Sequence, residues 1–289
     1  VADGASASGT FAQTSGVAET ADGLAAFAGG TCSLSGSARL KAPALLGMGA
    51  QTVFTADGGT LQTTQAALDV LFGFETAQLL AGGLTVEAAH DIRLSQTFTG
   101  TGGLTKTGVA TLDLRSEHQR LGALSVQGGT LVLSAADAHV GPATIAADAH
   151  LALLNPNITV AAIALADQAS LTLPVDFDGT IPATIGPITP AGAFTLSLVF
   201  FCDASLTAQG IILPFATTNG LTLSSSQAEL VLENGQVRYR LKPLPLATTP
   251  AFHIRQEDLA LLPPGPLDAL TADGQTFIAA ATTRPSLVT

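Results

Sequence analysis

Residues 101–114 read TGGLTKTGVATLDL. Three glycines, four threonines and three leucines fill most of its positions. Leu112 and Leu114 point one way along a strand, and Thr111, Asp113 and Arg115 point the other. The Gly-Gly pair before them breaks the alternation and marks a corner. A segment built this way suits a short strand that closes one turn of a repeated structure.

The same sentence recurs. Gly-Gly pairs followed by short alternating runs start at Gly29, Gly58, Gly82, Gly102 and Gly128. The spacing is uneven, but it stays within the range of roughly 20–50 residues that marks stacked repeats. GTLVLS, with Leu131 and Leu133, repeats the alternation, and so do Cys32 and Leu34 in the first unit. Helical periodicity is nearly absent; only TTQAALDVLFG, residues 63–73, reads as a short helix or a loop.

Two all-β architectures compete. A β-sandwich also has strands every roughly 8–12 residues, but it carries no repeating Gly-Gly signature and favours aromatic core residues. A parallel β-helix needs small residues at its bends and an aliphatic interior, with like positions stacked about 4.8 Å apart. The chain has 47% apolar residues, no Trp and one Tyr, and only 11% of its residues are charged against about 25% in an average soluble domain. Composition and repeat together predict a narrow, aliphatic parallel β-helix over residues 1–241.

The stretch TGTGGLTKTGVATLDLRSEHQRLGALSVQGGTLVL, Thr99 to Leu133, resembles the autotransporter-associated β-strand repeat. That family runs G-x-G-G-L-x-K-x-G-x-G-T-L-x-L, then a turn, then T-x-V-x-x-G-T-L-x-L. Gly100, Gly102, Gly103, Leu104, Lys106, Gly108, Thr111, Leu112 and Leu114 match its first half; Val126, Gly129, Thr130, Leu131 and Leu133 match its second. Ala110 replaces a glycine, and SEHQRLG departs from the usual Asn and aromatic before the glycine. The N-terminal VADGASASGT has neither a basic nor an apolar leader region, so the chain reads as cytosolic or as a mature form with its signal removed; the resemblance implies an extracellular or surface-exposed, right-handed parallel β-helix of bacterial origin, which fits the mature form. It implies no particular activity. Family members often end in an outer-membrane barrel, whereas nothing after residue 241 reads as the alternating strands of one.

AELVLENGQVRYRL, residues 228–241, is a hairpin around Asn234-Gly235. It puts Val237, Tyr239 and Leu241 toward the core and Glu229 and Glu233 beside Arg238 and Arg240. Residues 242–289 differ in character, being proline-rich with one short strand at 275–280. The plain reading is a linker or tail. The sharper one is an arm whose strand completes the open edge of a neighbour. Its apolar residues Phe252, Phe277 and Ile278 are then candidate inter-subunit contacts, together with Cys32 and Cys202.

Those two cysteines sit in apolar alternation, which predicts buried thiols. They lie 170 positions apart, about seven coils or ~30 Å in such a solenoid. An intrachain bridge is therefore out of reach, and a bridge between stacked subunits is the remaining disulfide.

Net charge is −11, and eleven scattered Lys and Arg make no patch for nucleic acid or anionic lipid. No apolar run approaches a membrane-spanning length, so no membrane insertion by this chain is expected. Asp176 and Asp178 share a strand face, as paired catalytic carboxylates or calcium ligands do, yet VDFDGT is also an ordinary exit into a turn. The histidines, at 90, 118, 139, 150 and 253, show no metal-ligand spacing. GGLTKTG lacks the order of a phosphate loop, so Lys106 reads as an outward strand residue with its stem over the apolar wall. No cofactor or metal is expected.

The leading expectation is therefore a non-enzymatic, extracellular structural protein, a subunit that joins its own kind into a homo-oligomer or fibre through the β-helix ends and the C-terminal arm. An adhesin gripping glycan or host protein is second. A polysaccharide-active enzyme is third, because Asp113, Asp137, Asp148 and Asp167 fall into no common register.

Overall fold

The structure is a computed structural model. It describes residues 9–175, 181, 184–200, 211–215, 217–226, 228–242, 270–272 and 275–277, with only the backbone for 67, 68, 200, 241 and the two strands after 243. It divides into two compact units, Val1–Lys242 and Pro243–Thr289.

The first unit is a β-solenoid of about nine turns, all strands and no helix among the described residues. Its first wall stacks Thr10–Gln13, Thr31–Ala42, Val53–Thr63, Leu84–Glu87, Leu104–Thr107, Leu124–Val126, His139–Ile145, Thr159–Leu165 and Ile188–Pro190 in parallel. Its second wall runs from Leu24–Phe27 to Leu221–Leu223 through ten parallel strands, among them Thr111–Leu114 and Thr130–Leu133. Short strands such as Arg120–Leu121 make a third facet in some coils.

Period two decides which side chains meet. On the first wall Leu84, Leu104, Leu124, Ala143 and Ile163 stack in one inward column. On the second, Ile92, Leu112, Leu131, Leu151, Leu171 and Leu196 do the same. All are buried. The columns advance along the sequence in near-equal steps until Leu171 meets Leu196, where the step lengthens. The interior is not wholly aliphatic: Phe54 lies 5.7 Å from the ring of Phe74 and 6.5 Å from that of Phe98.

Corners are tight. A Cβ on Gly102 would lie 1.9 Å from the Leu80 carbonyl oxygen of the coil beneath, so only glycine lets the two coils approach there. Buried amides tie other corners. Gln96 Oε1 accepts from the Phe74 N–H and its Nε2 donates to the Phe74 carbonyl, both at 3.0 Å. One coil on, Gln119 treats Phe98 N–H and Gln96 C=O the same way.

Residues 63–73, expected as helix or loop, contain the strand Ala67–Phe72. Its pairing with Ile92–Leu94 shifts register once, Ala67 opposite Ile92 but Leu71 opposite Leu94. Four residue steps on this strand thus span two on its neighbour, and the irregularity blurs the alternation that would have revealed the strand.

The expected hairpin forms. Ala228–Glu233 and Gln236–Leu241 pair antiparallel, with Asn234 at φ 51° and Gly235 at φ 74°, both central positions of a tight turn left-handed as a primed turn requires. Ile211–Ile212 adds a third strand. Val237, Tyr239, Ile211 and Leu213 are buried in the same apolar cluster as the last coils, and the rings of Phe194 and Phe215 lie 5.5 Å apart. The antiparallel sheet thus extends the solenoid core rather than standing apart from it. In the second unit, Leu270–Ala272 and Gln275–Phe277 form an antiparallel pair.

Candidate interaction surfaces and ionised clusters

The outward face of the first wall is two columns read straight from the register. One is Val17, Arg39, Thr60, Thr85, Thr105, Ser125, Thr144, Ala164, Thr189. The other is Glu19, Lys41, Gln62, Glu87, Thr107, continued past the strand ends by Gln127, Ala146, Ala166 and Ala191. The early coils carry charge. Arg39 Nη1 lies 3.0 Å from Glu87 Oε2 and donates to Gln62 Oε1 at 3.2 Å, and Lys41 Nζ lies 3.7 Å from Glu19. From Thr105 onward neither column holds an ionisable group. Ala164 leaves a dip between Thr144 and Thr189, part of an open trough of about 380 Å³ that Ala166, Pro190 and Ala191 also line.

Lys106 is not outward. It stands in the inward column between Val86 and Val126 and is fully buried. Its Nζ donates to the carbonyls of Gly108 at 2.6 Å and Gly128 at 2.7 Å, one in its own coil and one in the next. The corner glycines supply acceptors, and the ammonium satisfies them. Burial brings its pKa down to about 8, with Asp91 pulling the other way. Asp91 in turn accepts the Thr111 N–H at 2.7 Å, and that bond holds its carboxyl below the usual range.

The densest cluster of titratable side chains among the described residues lies on the third facet. Arg120 pairs in register with His139. Asp137 Oδ2 takes His118 Nδ1 at 2.8 Å and Arg120 Nη2 at 2.9 Å, and its Oδ1 lies 3.2 Å from His139 Nδ1. These contacts, the His118 hydrogen bond first and then that of Arg120, bring the Asp137 pKa down to about 2. All four side chains remain substantially exposed, so the cluster clamps adjacent coils at the surface and encloses no cavity. Sequence spacing gave no sign of it, because His118 and Asp137 meet only when the coils stack. His150 stands elsewhere, its Nε2 2.8 Å from Thr172 Oγ1 on the second wall. Among the described residues no group of three or more His, Cys, Asp or Glu side chains is placed to hold a metal ion, and no helix is long and apolar enough to cross a membrane.

Of the residues named from sequence as inter-subunit contacts, Cys32 is a free, buried thiol stacked between Phe11 and Phe54. Burial pushes its pKa up to about 12, which removes thiolate chemistry at neutral pH. Phe277 ends the strand Gln275–Phe277. Cys202, Phe252 and Ile278 lie outside the described residues, as do Asp176, Asp178 and His253. In the hairpin, Glu233 meets Arg240 at 2.7 Å and Arg238 at 3.5 Å, while Glu229 stands opposite Arg240 in register. Comparison of the chain with protein-family models, with curated proteins and with solved structures finds no match.

Proposed function

We propose that this chain is an extracellular structural protein, a β-solenoid subunit that associates with further copies of itself at a bacterial surface or in an appendage. The observation that carries this reading is the register. The same aliphatic positions return at near-even intervals through the middle coils, so each coil is a template for the next, in the same molecule or another. The resemblance of residues 99–133 to a repeat of exported bacterial proteins supports the location. Negative-stain electron microscopy of the purified protein tests it. Filaments or lateral arrays support a structural subunit; isolated single solenoids at every concentration overturn it.

A second reading rests on the hydroxyl column. Thr60, Thr85, Thr105, Ser125 and Thr144 repeat at the strand spacing of about 4.8 Å. Such a row offers evenly spaced donors and acceptors to an extended polymer such as a glycan chain. Retention of the monomeric protein on an immobilised polysaccharide, lost when Thr105 and Ser125 become alanine, would favour it.

A further inference from the structure

We propose that two copies of this chain pack side by side through the charge-free half of the first wall, from Thr105 to Ala191. This deepens the self-association proposed above and rests on it. A chain of net charge −11 repels its own copies. A contact between identical molecules must therefore use a surface on which no carboxylate meets another. A two-fold contact uses the same patch on both partners, so one such patch is enough.

The late half of the first wall meets that condition. Along the two columns its outward positions are Thr, Ser, Gln and Ala only, and Thr144, Ala164, Thr189 and Ala191 are exposed, while the exposed Asp148 and Asp167 lie past its edge in the turns after Ala146 and Ala166. The early half does not, because Glu19, Lys41, Arg39 and Glu87 occupy the same columns. Shape agrees with charge. The dip at Ala164 lies one strand from a threonine on either side. A partner with the same strand spacing can set a threonine into that dip while offering its own dip in return.

Area limits the strength. Five strands about 4.8 Å apart and about five residues wide make a face of roughly 400 Å². A stable pair buries about 800 Å² on each side. The contact is thus weak and concentration-dependent, suited to molecules held together at a crowded surface or along a fibre.

Sedimentation equilibrium over a wide concentration range tests this, with the wild-type protein, the variant Thr144→Asp/Ala164→Asp and the control Thr222→Asp/Ser224→Asp. The control adds the same charge at exposed sites on and just after the last strand of the second wall. All three should keep the wild-type circular dichroism and melting temperature, since the changed side chains are outward or exposed. Wild type and control should self-associate alike, and the first variant should lose about tenfold or more in association constant. Association of the first variant equal to wild type overturns the lateral face while leaving self-association standing. An equal loss in the control also overturns it, because net charge alone would then explain the effect. A wild-type protein that stays monomeric throughout overturns both proposals.

Discussion

One lysine in a column of aliphatic side chains shows how geometry outweighs residue type. Strand alternation from Leu104 turns Lys106 inward, and polarity argues for solvent; alternation wins because Gly108 and Gly128 present two carbonyls to the ammonium. Lys106→Met should deprive both carbonyls of that donor and cost about 2–4 kcal/mol in urea unfolding at pH 7. The pH dependence has a definite sign. The folded pKa, about 8, lies below the ordinary value of 10.5. Between those values the unfolded chain binds more protons, so the lysine's contribution to stability rises with pH there. The wild-type advantage over Lys106→Met should therefore grow between pH 8 and pH 10.5, and a shrinking advantage would refute the assignment. Gly102→Ala places a methyl against the Leu80 carbonyl and should cost about 3 kcal/mol, the upper end of overpacking, seen as a lower melting temperature. Glycine at that corner was legible from the repeat; the reason, a backbone oxygen of the coil below, was not, because sequence does not say which coil lies beneath.

Strands were legible wherever period two stayed clean. TLDL and TLVL declare themselves, and their leucines stack in register as Leu112 on Leu131 and Leu114 on Leu133. Ala67–Phe72 did not, because at its register shift Val70 and Leu71 are both buried in the core and the run then mimics a helical spacing. Leu112→Ala removes a fully buried side chain that contributes to two coil interfaces. It should cost about 2–5 kcal/mol, measured by denaturant midpoint at unchanged slope. The clamp between adjacent coils at Asp137 makes a different forecast. Its carboxyl has a folded pKa of about 2, below the ordinary 3.8. Its contribution is present above about pH 4 and lost as pH falls through about 2. Asp137→Asn should flatten the acid limb of the stability curve across that interval relative to wild type. Superimposable acid limbs would show that the carboxylate does not hold the coils.

At the scale of the molecule, the repeat announced a solenoid while hiding how it ends. The near-even coil length gives way to longer steps, Leu171 to Leu196 and Phe194 to Leu221, and an antiparallel sheet then joins the core. Asn234-Gly235 foretold that hairpin, but only packing shows Val237 and Tyr239 buried with the coils. The charge-free half of the first wall was likewise invisible in a linear reading, because its members lie a whole coil apart in the chain. The register has a mechanical consequence as well. Each coil is bonded only to the two beside it, so tension applied along the chain loads one rung at a time, as in opening a zipper. Stretched in an optical trap or by a cantilever, the solenoid should yield in a train of small, similar rips. Each rip should free one coil, about 65–70 Å of chain at full extension, in place of the single large rupture of a globular domain.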